Sequence, residues 1–197
     1  MSQYFSNDES IKSEIKEFVI RLKEETYTFK TDNGVFSKGG IDFGTKLLLE
    51  SIPLSEIKGD ILDVGCGYGI IGIYLKKKCE VNVDMIDVNE RAIHLTKMNA
   101  KLNLVTVNPF ISNCYENVTK KYDHIITNPP IRAGKKIVYE ILFSSKKHLK
   151  ENGQVWFVIR KEQGAESLIR DLKKECEVSI INKEKRFFII SLNFIDK

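Results

Sequence analysis

The segment Asp63-Val64-Gly65-Cys66-Gly67-Tyr68-Gly69-Ile70-Ile71-Gly72 sets four glycines within eight positions, between an apolar run and a helix-patterned stretch. Glycines this dense at a strand-to-helix junction permit a tight turn. They also let the backbone approach a ligand at the positive end of the helix. The apolar run Ile61 to Val64, a helix from about Ile70 to Lys77 and a second apolar run Val81 to Ile86 form a βαβ unit, which implies a parallel sheet. The second run is followed by Asp87, about 20 residues beyond the glycines, where a carboxylate can accept both ribose hydroxyls of an adenosine.

The alternation continues with a helix near Glu90 to Lys101, a strand near Val105 to Ile111 and another at Tyr122 to Thr127. After the break at Asn128-Pro129-Pro130 a helix is expected near Lys136 to Leu149, its end marked by Asn152-Gly153. A strand at Gln154 to Arg160 and a helix near Ala165 to Lys174 come next. The runs Glu177 to Ile181 and Phe187 to Leu192, joined by a short charged turn, favour an antiparallel hairpin. The expected fold is α/β: a Rossmann-like, doubly wound, seven-stranded, mostly parallel sheet with one antiparallel edge strand. Residues 1–50 read as a short N-terminal adjunct, with a strand at Thr26 to Lys30, a turn at Asp32-Asn33-Gly34, and Gly39-Gly40 ahead of a helix capped by Asp42.

Composition narrows the class. At 197 residues, with 42% hydrophobic and 29% charged residues, the chain suits one globular domain with its own core. The opening MSQYFSNDES has neither a cationic nor an apolar signal region, and no apolar run is long enough to span a membrane, so a cytoplasmic place is expected. Cys66, Cys79, Cys114 and Cys176 are scattered without a CxxC pair, and His94, His124 and His148 lack ligand spacing, which argues against metal and disulfides. The net charge of +4 comes with lysine clusters such as Lys76 to Lys78 and Lys183 to Arg186. These read equally as phosphate contacts or as solvated faces.

Gly67, Gly69 and Gly72 also satisfy GxGxxG, so a dinucleotide is an alternative ligand. Asp63 argues the other way: a pyrophosphate disfavours a fixed anion, whereas a carboxylate there can meet a cationic methionine amino group directly or through water. S-Adenosyl-L-methionine is therefore the expected cofactor. At the end of the strand Tyr122 to Thr127, Pro129 and Pro130 remove two amide donors and stiffen the loop. The Asn128 side-chain oxygen and the Pro129 carbonyl are left as acceptors, a pair suited to the two hydrogens of an exocyclic amine. The plainer alternative is a turn that merely ends a strand.

The register Asp-x-Gly-x-Gly-x-Gly resembles motif I of class I methyltransferases. With Asn33-Gly34-Val35-Phe36-Ser37, Asp42-Phe43-Gly44, Asp87, Ser112-Asn113 and Asn128-Pro129-Pro130-Ile131, the chain resembles the ribosomal RNA small-subunit guanine-N2 methyltransferase family. The resemblance implies a methyltransferase domain over 51–197, with Asn128, Pro129 and Pro130 as the catalytic group. It implies cofactor contacts at Asp63, Gly65, Cys66, Gly67, Gly69, Asp87, Val88, Asn113, Cys114, Asn128 and Gly44. Phe36 becomes either a wall of the base pocket or a core aromatic, and Asn113 either an adenine contact or a loop residue. Ile131, where adenine-N6 and protein-glutamine enzymes usually carry an aromatic, agrees with guanine N2. Arg132, with Lys135 and Lys136, reads as a phosphate contact or a solvated helix start. Better-known relatives carry an additional N-terminal domain that engages RNA, which this chain replaces with about 50 residues. The implied partner is ribosomal RNA or a ribosomal particle, with self-association as one source of the missing surface. Rival readings are a protein-glutamine or small-molecule methyltransferase, an NAD-dependent oxidoreductase and a non-catalytic RNA-binding module.

Overall fold

Strand β3 (Gly59–Val64) shows how the sheet divides its two cores. Successive side chains point to opposite faces, so Ile61 joins the core on one side while Leu62 and Val64 join that on the other. Asp63 falls by the same alternation on the Ile61 side. Strand β6 (Tyr122–Thr127) repeats the division with Ile126 and Ile125. In the computed structural model, which describes residues 12–35 and 40–195, the sheet is completed by β4 (Val81–Asp87), β5 (Asn108–Ile111), β7 (Leu149–Arg160), β8 (Cys176–Glu184) and β9 (Phe187–Phe194).

The seven strands run in the order β5-β4-β3-β6-β7-β9-β8. Pairing from β5 through β7 is parallel, and the antiparallel character lies at the C-terminal edge. There β9 runs against both β7 and the outermost strand β8. Strand order reverses between β3 and β6, so the crevice beyond their carboxyl ends is the natural ligand position of a doubly wound sheet. Thr127 fastens the two strands there, its Oγ1 donating to the Val64 carbonyl at 2.7 Å.

Helices α1 (Phe43–Ser51), α2 (Ile70–Lys78) and α3 (Glu90–Leu102) supply the first core, and α4 (Lys135–Ser144) and α5 (Ala165–Leu172) the second. Leu47, Leu48 and Leu49 of α1 are buried in the same cluster as Trp156, Val158 and Ile189 of the sheet. Ahead of α1, β1 (Lys16–Leu22) and β2 (Glu25–Thr31) form a separate antiparallel hairpin. The sequence reading found only the second strand of this pair, because the exposed Val19 blurs the alternation of Phe18, Ile20 and Leu22. Asn99, fully buried, pins the hairpin: its Nδ2 donates to the carbonyls of Lys30 and Tyr68 at 2.8 Å each, and its Oδ1 accepts from Lys30 N at 2.7 Å.

Two boundaries differ from expectation. Leu104 turns with φ 56° and Val105 N donates to Ala100 O, so residues 105–107 finish the exit from α3 and β5 begins only at Asn108. Asn152-Gly153 does not end a helix. The helix stops at Ser144, a 3-10 turn covers Ser145–His148, and Asn152 (φ 60°) sits in a bulge within β7 between Leu149, paired with Tyr122, and Gln154, paired with His124. Glycine suits the next position, because a Cβ on Gly153 would crowd the carbonyls of Lys150 and Tyr122 at 3.0 Å.

Candidate active site

The glycine loop is shaped by left-handed backbone and by hydrogen bonds to β4. Gly65 (φ 72°) and Gly67 (φ 57°) hold conformations that side chains with a Cβ disfavour. The amides of Gly65 and Cys66 both donate to Ile86 O at 2.9 Å, and Gly67 N donates to Asp87 Oδ2 at 2.9 Å. Asp87 Oδ1 accepts from Asn89 N at 2.9 Å, and burial raises the carboxyl's pKa above the usual range. Each oxygen keeps a lone pair for a further donor.

This loop floors a cavity of about 450 Å³, within the range of small-molecule sites. Gly65, Cys66, Gly67, Asp87 and Val88 line it on the loop side, Asn113 and Cys114 beyond β5. Asn128, Pro129 and Pro130 line it too, with Ile131 and the exposed Arg132. The two motifs are adjacent, since a Cβ on Gly65 would lie 4.0 Å from Pro130 Cδ. Asn113 donates from Nδ2 to Glu116 Oε1 at 2.9 Å, which leaves its Oδ1 as the acceptor. The Cys66 thiol is buried against Thr96, and burial raises its pKa far above the thiolate range, so it is no nucleophile.

Three expected contacts sit elsewhere. Asp63 lies behind the loop, wholly buried, its Oδ2 accepting from Gly72 N at 3.0 Å while Oδ1 has no partner among the described residues. Burial and the nearby Asp87 charge push its carboxyl pKa up to about 7. Gly69 is not in the cavity wall; it caps α2 and packs on Thr96, which a Cβ would meet at 2.9 Å. Gly44 is not in the cavity wall itself; it packs behind the Phe187 ring, which is. Phe36 lies outside the described residues.

The sequence reading missed how Asn128 is held. Asp42, as expected, caps α1, its Oδ1 accepting from Thr45 N at 3.1 Å. The same carboxylate accepts from Thr45 Oγ1, and Thr45 Oγ1 accepts from Asn128 Nδ2 at 2.8 Å. Asn128 Nδ2 also reaches both Asp42 oxygens at 3.3 and 3.4 Å. An ionised carboxylate only accepts, so the amide must present its NH2 to the cap, and Oδ1 is left to accept. Pro130 O is taken by Ala133 N, while no described donor reaches Pro129 O. Asn89 was also missed: nearly fully buried, it lines the cavity and its Nδ2 donates to Gly34 O at 3.0 Å, tying the Asn33-Gly34 turn to the cofactor side.

No described helix is long and apolar enough to cross a membrane, and no metal-binding group of His, Cys, Asp and Glu occurs among the described residues.

A glycine loop at the switch point, a strand-end carboxylate and the Asn128-Pro129-Pro130 loop thus meet in one cavity. Residues 26–191 match the methyltransferase small domain model. The chain belongs to the methyltransferase small domain family. It is 45% identical over 192 residues to the Bacillus subtilis protein YbxB, whose function is uncharacterised, covering 95% of this chain and 96% of that one. It is 31% identical to ribosomal RNA small subunit methyltransferase C of Psychromonas ingrahamii over 90% of this chain but only 51% of that one. Among solved structures, the Thermus thermophilus 16S rRNA N2 G1207 methyltransferase, determined with AdoMet and guanosine, superposes with a TM-score of 0.82 at 22% identity, over 92% of this chain and 51% of that one. The chain thus spans about half the length of its rRNA methyltransferase relatives.

Proposed function

We propose that this enzyme methylates the exocyclic N2 amine of a guanine in ribosomal RNA. The observation that carries the reading is the locked Asn128 amide, whose NH2 is committed to Thr45 and Asp42, leaving Oδ1 to accept together with the Pro129 carbonyl. The names of the relatives support this acceptor: ribosomal RNA for the Psychromonas enzyme, and N2 of a guanine in 16S rRNA for the Thermus one.

The residues fit the cofactor. The Asp87 carboxylate would take the ribose hydroxyls, Val88, Asn113 and Cys114 the adenine end, and the Gly65 and Gly67 backbone the close approach. The unpartnered Asp63 Oδ1 supplies buried negative charge behind the loop for the cationic methionine end. Bound there, S-adenosylmethionine supplies an electrophilic methyl group on its sulfonium.

The protein's own chemistry is orientation and charge. Asn128 Oδ1 and Pro129 O accept the two hydrogens of the amine, which aims the nitrogen lone pair into the cavity. As positive charge develops on nitrogen, the same two dipoles stabilise it, with the Asp42 carboxylate adding to the field through Thr45. No strong base is needed, because the product ammonium-like nitrogen is acidic enough to release its proton to water. The exposed guanidinium of Arg132, also in the cavity lining, would meet a phosphate of the entering strand.

The test is transfer of labelled methyl from S-adenosylmethionine to undermethylated small-subunit particles, naked rRNA and ribosomal proteins. Recovery of N2-methylguanosine is expected. Label confined to protein, or on another base position, would overturn the reading.

A further inference from the structure

Ile131 offers no aromatic face to a planar acceptor, yet beside Tyr68 of the glycine loop the phenylalanines of two other elements line the same cavity. Phe43, the residue after Asp42, and Phe187, the first of β9, have ring centroids 5.3 Å apart at 50°. Arg160 places its guanidinium 5.1 Å from the Phe187 centroid, and Lys185 its ammonium 4.5 Å from that of Phe43. Phe43 belongs to the turn whose neighbours, Asp42 and Thr45, hold the Asn128 amide, so the rings stand on the acceptor side of the cavity.

The sequence goes to some length to form this wall. A Cβ on Gly44 would lie 2.8 Å from Phe187 Cε1, so only glycine at this point of α1 leaves room for the ring. Lys185 and Arg186 form the two-residue turn between β8 and β9 with φ 45° and 66°. That turn favours Asn-Gly, and here it carries two cations in strained backbone. Glu162 engages Arg186 at 2.7 Å and Arg160 at 3.7 Å, whereas Lys185 has no carboxylate in ion-pair range among the described residues.

We propose that Phe187 and Phe43 form the platform that receives the target base, a purine swung out of an RNA strand, and that Lys185 holds a phosphate flanking it. Aromatic faces accept any base by stacking and unneutralised cations accept the backbone, which is the combination present here. The inference rests on the RNA reading above and assigns its acceptor side. Gly44 then acts as a positioning residue for Phe187 and not as a cofactor contact.

The experiment compares Phe187→Leu, Gly44→Ala, Lys185→Gln and, as a charge control outside the cavity, Lys183→Gln. It measures KM for rRNA, Kd for S-adenosylmethionine and thermal melting. Phe187→Leu should raise the RNA KM about ten-fold or more with cofactor Kd within about two-fold. Gly44→Ala should move the RNA KM the same way, because alanine suits the helix but displaces the ring. Lys185→Gln should flatten the salt dependence of RNA binding by about one unit of slope, and Lys183→Gln should not. Wild-type RNA KM in folded Phe187→Leu and Gly44→Ala, or a cofactor Kd that rises in step with KM, would overturn the platform while leaving the RNA reading intact. A wild-type enzyme that labels no RNA overturns the RNA reading itself and its occupant with it.

Discussion

Replacing Asp63 by Asn should reshape the pH dependence of stability. Inside the fold burial raises the carboxyl's pKa to about 7, against about 3.8 for a free aspartate. The folded chain therefore holds a proton that the unfolded chain releases. The stability this group contributes is complete below its unfolded pKa and is lost as pH rises through about 7. From these two values, wild type should lose about 2–3 kcal/mol relative to Asp63→Asn between about pH 5 and about pH 8. For a chain of this size that is about 5–10 °C in Tm. Asn keeps an acceptor for Gly72 N, while its new buried NH2 costs about 1–3 kcal/mol at every pH, so the slope of the difference curve isolates the charge. The assay is thermal melting of both apoproteins across that range, with calorimetric binding of S-adenosylmethionine alongside. A cationic methionine end favours the ionised carboxyl, so wild-type affinity should rise with pH by up to about ten-fold per unit until about 7, and that of Asp63→Asn should stay flat. A flat Tm difference would refute the assignment of Asp63 as a buried, proton-holding carboxyl.

Thr45→Val removes the 2.8 Å hydroxyl contact and leaves Asn128 only the longer ones to Asp42. The loss of about 1 kcal/mol should lower kcat about five-fold with little change in cofactor Kd, and a matching rise in Kd would argue for a structural effect alone. Asn99→Ala breaks three hydrogen bonds of a fully buried side chain and should cost about 2–4 kcal/mol, with hydrogen exchange at the Lys30 amide losing its protection.

The parallel core was legible because its punctuation is strong. The glycines after Val64, the carboxylate after Ile86 and the prolines after Asn128 each mark a strand end, and all three fall at the switch point. What stayed hidden depends on contacts distant in sequence. Asp42 could be read as a helix cap, but nothing local says that Asn128, 86 residues away, shares that carboxylate. Gly44 looks like part of a ligand motif until the Phe187 ring is seen against it. Asp63 reads as a partner of the methionine amino group, directly or through water, and only strand alternation and the Gly72 amide show that it lies behind the loop. The bulge at Asn152-Gly153 used residues that also end helices, so only the pairing of Leu149 with Tyr122 separates the two cases.

The most direct measurement is single-turnover methyl transfer to rRNA by wild type and Asn128→Ala, read as N2-methylguanosine, with S-adenosylmethionine affinity measured in parallel. Losing the acceptor that orients the amine should slow transfer by about 100-fold or more while cofactor Kd stays within about two-fold. Product formed by Asn128→Ala at the wild-type rate would contradict the role of the Asn128 amide.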